Sequence, residues 1–165
     1  MPRRPRKRRP RAARPYALLT AAALAACDAF SLAAPADAGA PLHAASAELA
    51  QLVNRYRAHA GCRALAWHDG AAGVAQTHSA DMHARGYFGH TTPEGRTLAD
   101  RLRAAHLAVS AAGENLVRTE KGARAAFDAW LASPPHRALL RDCGFTYQGL
   151  GLSGDLWTQV LLTPR

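Results

Sequence analysis

The spacing of apolar residues predicts two helices in the first half of the folded region. Over Leu49–Tyr56, apolar residues recur at intervals of three and four, as they do along one face of a helix. Ser46 is predicted to cap this helix and Gly61 to end it. The same pattern predicts a second helix over Asp69–Arg85, whose narrow, alanine-rich apolar face suits close packing.

The second half of the chain predicts two more helices and a closing hairpin. Thr97 is placed to cap the third helix, and a fourth covers about Lys121–Ala132 before two prolines break it. Segments 145–152 and 156–162 are rich in β-forming residues and flank Ser153-Gly154-Asp155, a typical hairpin turn. Helices followed by a terminal hairpin predict a layered α+β fold.

Several polar and aromatic residues have structural interpretations. Trp67, Trp130 and Trp157 have apolar neighbours and are predicted to lie in the core. His78 lies on the apolar stripe of the second helix and is predicted to be a core or cleft-wall residue. The GENL segment, residues 113–116, is interpreted as a loop that Asn115 holds through hydrogen bonds to the backbone.

The charge of the chain is concentrated at its start. The 21 basic residues against 12 acidic ones would suggest nucleic acid or an anionic membrane as partner. Eight of the 21 precede Tyr16, however, which leaves 13 basic residues from Cys27 onward. The uncharged segment 16–27 is shorter than the roughly 20 residues that span a bilayer. We interpret residues 1–26 as a secretory signal, with a nucleic-acid-binding arm as the alternative, and expect no nucleic-acid partner.

The end of this leader resembles the lipobox of bacterial lipoproteins. The sequence Leu24-Ala25-Ala26-Cys27 implies that Cys27 becomes a lipidated first residue, which would anchor the protein to a membrane of the bacterial cell envelope. An ordinary signal peptide, cut after Ala34 or Ala36, is the alternative and would release a secreted protein. Residues 27–46 are interpreted as a flexible, Ala/Pro-rich tether and residues 47–164 as one domain, expected to be a monomer.

Two cysteines remain once Cys27 is set aside as the lipid site. Cys62 and Cys143 form an even pair in an exported domain, and they are therefore candidates for a disulfide. Two buried free thiols are the alternative. Neither cysteine belongs to a CxxC pair, so a zinc-thiolate or redox motif is not supported.

Two histidines and a glutamate are candidates for a functional cluster. His90 lies in GYFGHTTPEGR, Glu114 in the GENL segment, and His136 just after the break in the fourth helix. A carboxylate among apolar neighbours needs a partner, which these imidazoles can supply. Such a group could bind a divalent metal, share a proton, or only lock the loops together through hydrogen bonds. The sequence contains no HExxH, GxSxG or P-loop motif.

Four segments in order resemble the CAP superfamily, also called the SCP domain. This superfamily comprises cysteine-rich secretory, antigen-5-like and pathogenesis-related proteins, and the resemblance is closest to its short bacterial members. It implies an α-β-α sandwich with a small, mainly antiparallel sheet. The matching segments are LVNRYRAHAGCRALAWHDGAAGVAQTHSADMHARGYFGH, AGENLV, AWLASPPHRALL and GLGLSGDLWTQVLL.

The resemblance also implies a set of site residues. Eukaryotic members have a cleft with two histidines and two glutamates, which in several of them binds zinc or another divalent ion. His90 and Glu114 match one of each, whereas the other two positions are Ser133 and Leu156-Trp157 here. His136 of the SPxHR element is the expected substitute. His90, Glu114 and His136 are therefore the predicted metal ligands and catalytic residues, with zinc as the predicted cofactor.

Two functions from different classes remain open, so the sequence does not decide whether the protein is an enzyme. The first is a binding module whose cleft recognises a lipid, a peptide or a cell-wall component. The second is a metal-assisted hydrolase or peptidase with Glu114 as general base. Because two family ligands are missing, binding is favoured. Serine chemistry by Ser133 with His136 lacks an identifiable oxyanion hole.

Overall fold

A computed structural model describes residues 40–165 of the chain. The predicted signal, Cys27 and the tether up to residue 39 lie outside the described residues. Within residues 40–165, no helix combines the length and apolar character needed to cross a membrane. The elements are α1 (Ala40–His59), β1 (Ala66–Trp67), α2 (Asp69–Arg85), α3 (Leu98–Ala104), β2 (Val109–Arg118), α4 (Gly122–Ala132), α5 (Pro134–Arg141), β3 (Tyr147–Ser153) and β4 (Leu156–Pro164).

Local capping signals fix the ends of α2 and α3 where the sequence predicts them. The ring of His68 accepts a hydrogen bond from the first turn of α2, and Gly86 ends that helix in the left-handed conformation, with φ of 68°. Thr97 and Asp100 form a reciprocal capping box at the start of α3. These ends position the loop 86–97, which carries His90.

The start of α1 differs from the prediction. The helix begins at Ala40, so Ser46 is a buried residue inside it and not its N-cap. The alanine-rich sequence before Ser46 has high helix propensity, and Pro41 is compatible with a first helical turn. Residues 40–46, which the sequence assigned to the tether, are therefore helical. Gly61, with φ of 78°, follows the other end of α1 as predicted.

The four strands form one mixed sheet in the order β1-β3-β4-β2. The predicted hairpin is confirmed, because β3 and β4 pair antiparallel, with Ser153 opposite Leu156. The interpretation of GENL as a loop is wrong: these residues belong to β2, which pairs antiparallel with β4. The two-residue strand β1, parallel to β3, and helix α5 were not predicted from the sequence.

Helices cover both faces of the sheet, which confirms the α+β, α-β-α sandwich. On one face α2 lies so close to β3 that a Cβ on Gly149 would stand 2.0 Å from the backbone nitrogen of Ala72. On the other face α1, α4 and α5 enclose a core that contains Trp130 and Trp157. Trp67 is not in the core, because it lies on the short edge strand β1 and is 42% exposed.

A disulfide joins Cys62 and Cys143, as the sequence predicts, with their Cα atoms 5.0 Å apart. Beside it, the buried side chain of Arg57 donates hydrogen bonds to four backbone carbonyls. The guanidinium has lost hydration, which lowers its pKa. The bond and the arginine together fasten α1 to the segment that links α5 and β3. The four acceptors are Arg63, Leu140, Asp142 and Phe145, at 2.8–3.1 Å.

Candidate functional site

His90 and Glu114 are in direct contact. Glu114 lies on β2 opposite Val160 of β4, and its side chain is only 3% exposed. His90 lies in the loop after α2, with its side chain 56% exposed, and its Nδ1 is 2.8 Å from Oε1 of Glu114. If the carboxylate is ionised it can only accept, so Nδ1 carries the hydrogen. Glu114 therefore orients the ring of His90, whose other nitrogen is free for a further contact.

Arg101 is the third member of this cluster, and sequence reasoning missed it. Its guanidinium binds Glu114 through two nitrogens, with Nη1 2.7 Å from Oε2 and Nη2 3.2 Å from Oε1. The Arg101 side chain is 10% exposed, so both charges of the pair are largely removed from water. A buried carboxylate needs a cation or several donors. That requirement, applied to Glu114, was a signal in the sequence for a cationic partner, although it does not say which residue supplies the charge.

The same guanidinium also holds the loop that carries His90. Nη2 of Arg101 donates to the backbone carbonyl of His90 at 2.8 Å. His90, Glu114 and Arg101 thus form a closed network that links β2, α3 and the loop between α2 and α3. Charge-assisted, bidentate contacts of this kind fix geometry as well as charge.

His136 lies beside this network without joining it. It is in the first turn of α5, which Pro134 and Pro135 begin, and its side chain is half-buried. Burial, and then the charge of nearby His90, lower the pKa of His136. Within residues 40–165, no hydrogen bond joins His136 to His90 or Glu114. The structure therefore brings the first two predicted site residues into contact and leaves the third as a neighbour.

His78 forms an inner wall of the site, as its place on the α2 stripe predicts. It is 1% exposed, and its Nε2 donates to the backbone carbonyl of Gly89 at 2.9 Å. Burial lowers the pKa of His78, and the positive charge of Arg101 lowers it further. This contact fixes the residue that precedes His90.

A cavity of about 360 Å³ lies next to the network, and His78 and Arg101 line it. Its rim carries an exposed ion cluster in which Arg85 binds Asp81 at 2.7 Å and also binds Glu94. Hydrogen bonding to Arg85 lowers the pKa of Glu94 to about 2. A second groove, of about 530 Å³ between α3 and β2, is lined by Leu98, Leu102 and Val109 and does not include the network residues.

The residues present do not fit a divalent metal as they are arranged. The two oxygens of Glu114 already accept three hydrogen bonds. Two of these bonds come from the guanidinium of Arg101 and one from the ring of His90. In the part of the chain that the structure describes, no group of three or more His, Cys, Asp or Glu side chains is arranged to hold a metal ion. Zinc binding by His90, Glu114 and His136 stays a prediction, and the contacts of Glu114 argue against it.

The domain is similar to one protein-family model and to two proteins of Bacillus subtilis. The model of the cysteine-rich secretory protein family, CAP, matches residues 50–159. A Bacillus subtilis protein named uncharacterized membrane protein YlbC is 34% identical over 112 residues, which is 68% of this chain and 32% of that protein. Another from the same organism, uncharacterized protein YkwD, is 28% identical over 70% of this chain and 46% of its own length. The chain thus spans less than half of either relative.

Solved structures match the fold over about three quarters of the chain. An extracellular protein with an SCP domain from Bacillus anthracis has a TM-score of 0.71 at 33% identity, covering 73% of this chain and 41% of that one. An outer surface protein from Borrelia burgdorferi has a TM-score of 0.69 at 18% identity, covering 74% of this chain and 94% of that one. At that identity the second likeness concerns the fold alone.

Proposed function

Because the chain belongs to the CAP family of cysteine-rich secretory proteins, we propose that it is an exported, membrane-tethered binding module of the bacterial cell envelope. The ligand, a lipid, a peptide or a cell-wall component, binds at the surface around His90 and in the adjacent cavity that His78 and Arg101 line, which together we call the cleft. The proposal combines the family with two features of this chain. These are the cleft described above and the lipobox-like sequence at Cys27.

We favour binding over turnover because both carboxylate oxygens of Glu114 are engaged in hydrogen bonds. Its two oxygens serve Arg101 and His90, so the carboxylate is not free to act as a general base. The groups left for a ligand are the exposed ring of His90 and the half-buried ring of His136. Two imidazoles at the edge of a cleft can donate or accept hydrogen bonds without any covalent step.

Binding can be tested by sedimentation of the full-length protein with two probes, with Cys27→Ser in every variant so that the proposed lipid anchor does not itself retain the protein on vesicles. One is purified peptidoglycan, and the other is vesicles of phosphatidylethanolamine and phosphatidylglycerol. Wild type should bind one of them, and His90→Ala should bind it at least tenfold more weakly. The matched control is His59→Ala, which removes an exposed histidine at the end of α1. Equal retention of wild type and His90→Ala on both probes would exclude the cleft as the binding site.

The anchor is tested separately by mass spectrometry of the mature N-terminus. An acylated Cys27 supports the tether, and Cys27→Ser should move the protein from the detergent phase to the aqueous phase. A mature chain that begins at Pro35 or Asp37 would instead establish an ordinary signal peptide and a secreted protein. The names of the relatives favour export, because one is called a membrane protein and a structural neighbour is called extracellular.

A hydrolase is the second candidate, and one observation favours it. Glu114 holds the ring of His90 through Nδ1, so in the neutral ring Nε2 is an acceptor on an exposed side chain. In such a hydrolase His90, and not Glu114, would be the general base. Turnover of a peptide or glycan substrate that His90→Gln abolishes, in a variant with an unchanged circular dichroism spectrum, would support the hydrolase over the binding module.

A further inference from the structure

The guanidinium of Arg101 occupies the side of Glu114 that a metal ion would need. Nη1 lies 2.7 Å from Oε2 and Nη2 lies 3.2 Å from Oε1, so one planar cation covers both oxygens. A zinc ion bound to this carboxylate would have to approach an oxygen to about 2.0–2.2 Å. The remaining contact of Oε1 is with Nδ1 of His90, which removes that nitrogen as a ligand too.

The arginine is held in this place by the fold. Leu102, its neighbour on α3, is 1% exposed and anchors the helix, and the capping box of Thr97 and Asp100 fixes the turn that precedes it. Nη2 also donates to the backbone carbonyl of His90. Moving the guanidinium away would therefore break three contacts at once and leave Glu114 as a buried, unpaired charge, which is costly.

The charge in the cleft is already balanced. Glu114 carries one negative charge on a side chain that is 3% exposed, and Arg101 supplies one positive charge against it. A divalent cation at the same carboxylate would face a fixed positive charge a few ångströms away, where little water screens the repulsion. Since His90 and His136 are the only other predicted ligands, the donor set is too poor to offset that repulsion.

We infer that Arg101 is a built-in cation that excludes divalent metals from the cleft, because its guanidinium covers the Glu114 oxygens that a metal ion would need. In the native protein the arginine takes the structural place of the ion, tying β2 to α3 and to the loop of His90. The inference concerns the same cleft as the proposed function but does not require that any envelope ligand bind there.

Zinc titration by calorimetry tests the inference on the full-length protein after treatment with a chelator. Wild type should show no saturable binding near one equivalent. Arg101→Gln should bind zinc at least tenfold more tightly, because the oxygens of Glu114 are then uncovered, and the double variant Arg101→Gln/Glu114→Gln should lose the gain. The matched control is Arg103→Gln on the same helix, which frees the exposed carboxylate of Asp100 and should gain no such site.

Two results would overturn the inference. One is zinc binding by wild type at one equivalent that His90→Ala and His136→Ala both abolish. The other is the lack of any gain in Arg101→Gln. Thermal unfolding keeps the test decisive if that variant is weakly folded, since zinc should raise its Tm but not the Tm of wild type or Arg101→Lys. Sedimentation of zinc-free wild type with the envelope probes tests the proposed function independently, so either idea can fail alone.

Discussion

Asn115 on β2 and Gln159 on β4 stand opposite each other, and the Asn115 amide donates to the side-chain oxygen of Gln159 over 3.0 Å. Gln159 donates in turn to Gln148 of β3, also at 3.0 Å. Three buried amides thus connect three adjacent strands on the sheet face that packs against α1. The polar residue next to Glu114 therefore holds the sheet together, and it faces away from the cleft.

Replacing Asn115 by Ala should destabilise the protein by about 1–3 kcal/mol. The change leaves the buried Gln159 oxygen without its donor, and an unsatisfied buried group carries a desolvation penalty of that size. Urea unfolding measures the loss. The control is Ser110→Ala on the same strand, which removes exposed hydrogen bonds to Thr163 and Pro164 and should cost less than about 0.5 kcal/mol. Equal losses in the two variants would contradict a special role for the amide row.

The pair of Arg101 and Glu114 should show strong energetic coupling. Either single change, Arg101→Met or Glu114→Gln, should cost about 3 kcal/mol, because it leaves the partner as a buried charge. The double variant should recover much of that loss, which a double-mutant cycle in urea would reveal. The exposed pair Arg124 and Asp128 provides the comparison, with an expected coupling of about 0.5 kcal/mol or less. Additive losses at Arg101 and Glu114 would refute the coupling.

Acidification should destabilise the fold through His78. Burial and the charge of Arg101 lower its pKa below the ordinary value of 6.5, so near that pH the unfolded chain binds more protons at this residue than the folded one. Stability is then full above about pH 6.5 and falls as the pH drops toward the lowered pKa. His136 contributes in the same direction.

The measurement is the free energy of unfolding between about pH 5 and pH 8 for wild type, His78→Gln and His59→Gln. His78→Gln should flatten the slope below about pH 6.5, whereas the exposed control should leave it unchanged. An unaltered slope in His78→Gln would mean that another group governs the acid sensitivity.

Two glycine substitutions should have opposite effects on stability. In Gly149→Ala the new methyl group would meet the backbone of α2 at 2.0 Å from the nitrogen of Ala72, so the helix must move off the sheet. We expect a loss of more than about 3 kcal/mol or failure to fold. Gly73→Ala adds a methyl group within α2 that meets no described atom within 4 Å apart from its chain neighbours and the backbone of its own helix, and it should stabilise the helix by up to about 1 kcal/mol. Thermal unfolding of the two variants compares them directly.

Elements with local signals were predictable from sequence, and elements that depend on distant pairing were not. The bounds of α2 follow from its apolar stripe and from Gly86, and α3 follows from the Thr97 cap. Strand β2 was missed because GENL contains a glycine, a carboxylate and an amide, which are weak strand formers. It is a strand because β4 pairs with it along its length, and that pairing is not visible in the local sequence.

In the candidate site, too, some contacts could be predicted from the sequence and others depend on how distant elements pack. The contact of His90 with Glu114 was predicted and is present at 2.8 Å, but the roles assigned to both residues stay predictions. Arg101 was overlooked because its partner lies 13 residues away on another element, and the short α3 resembles many exposed, basic helices. Which arginine neutralises a buried glutamate depends on how α3 packs beside β2, and the spacing of residues does not reveal that.

The order β1-β3-β4-β2 places the strand that is made last in the interior of the sheet, between two others. During synthesis β2 has no neighbour to pair with until β4 emerges, because residues 119–155 separate the two strands. The same holds for α2, which packs against both strands of the late hairpin. The sheet cannot form until β4 is available, because β2 and β3 are joined only through it. A chain that stops before β4 would therefore leave β2 and β3 without the strand they share.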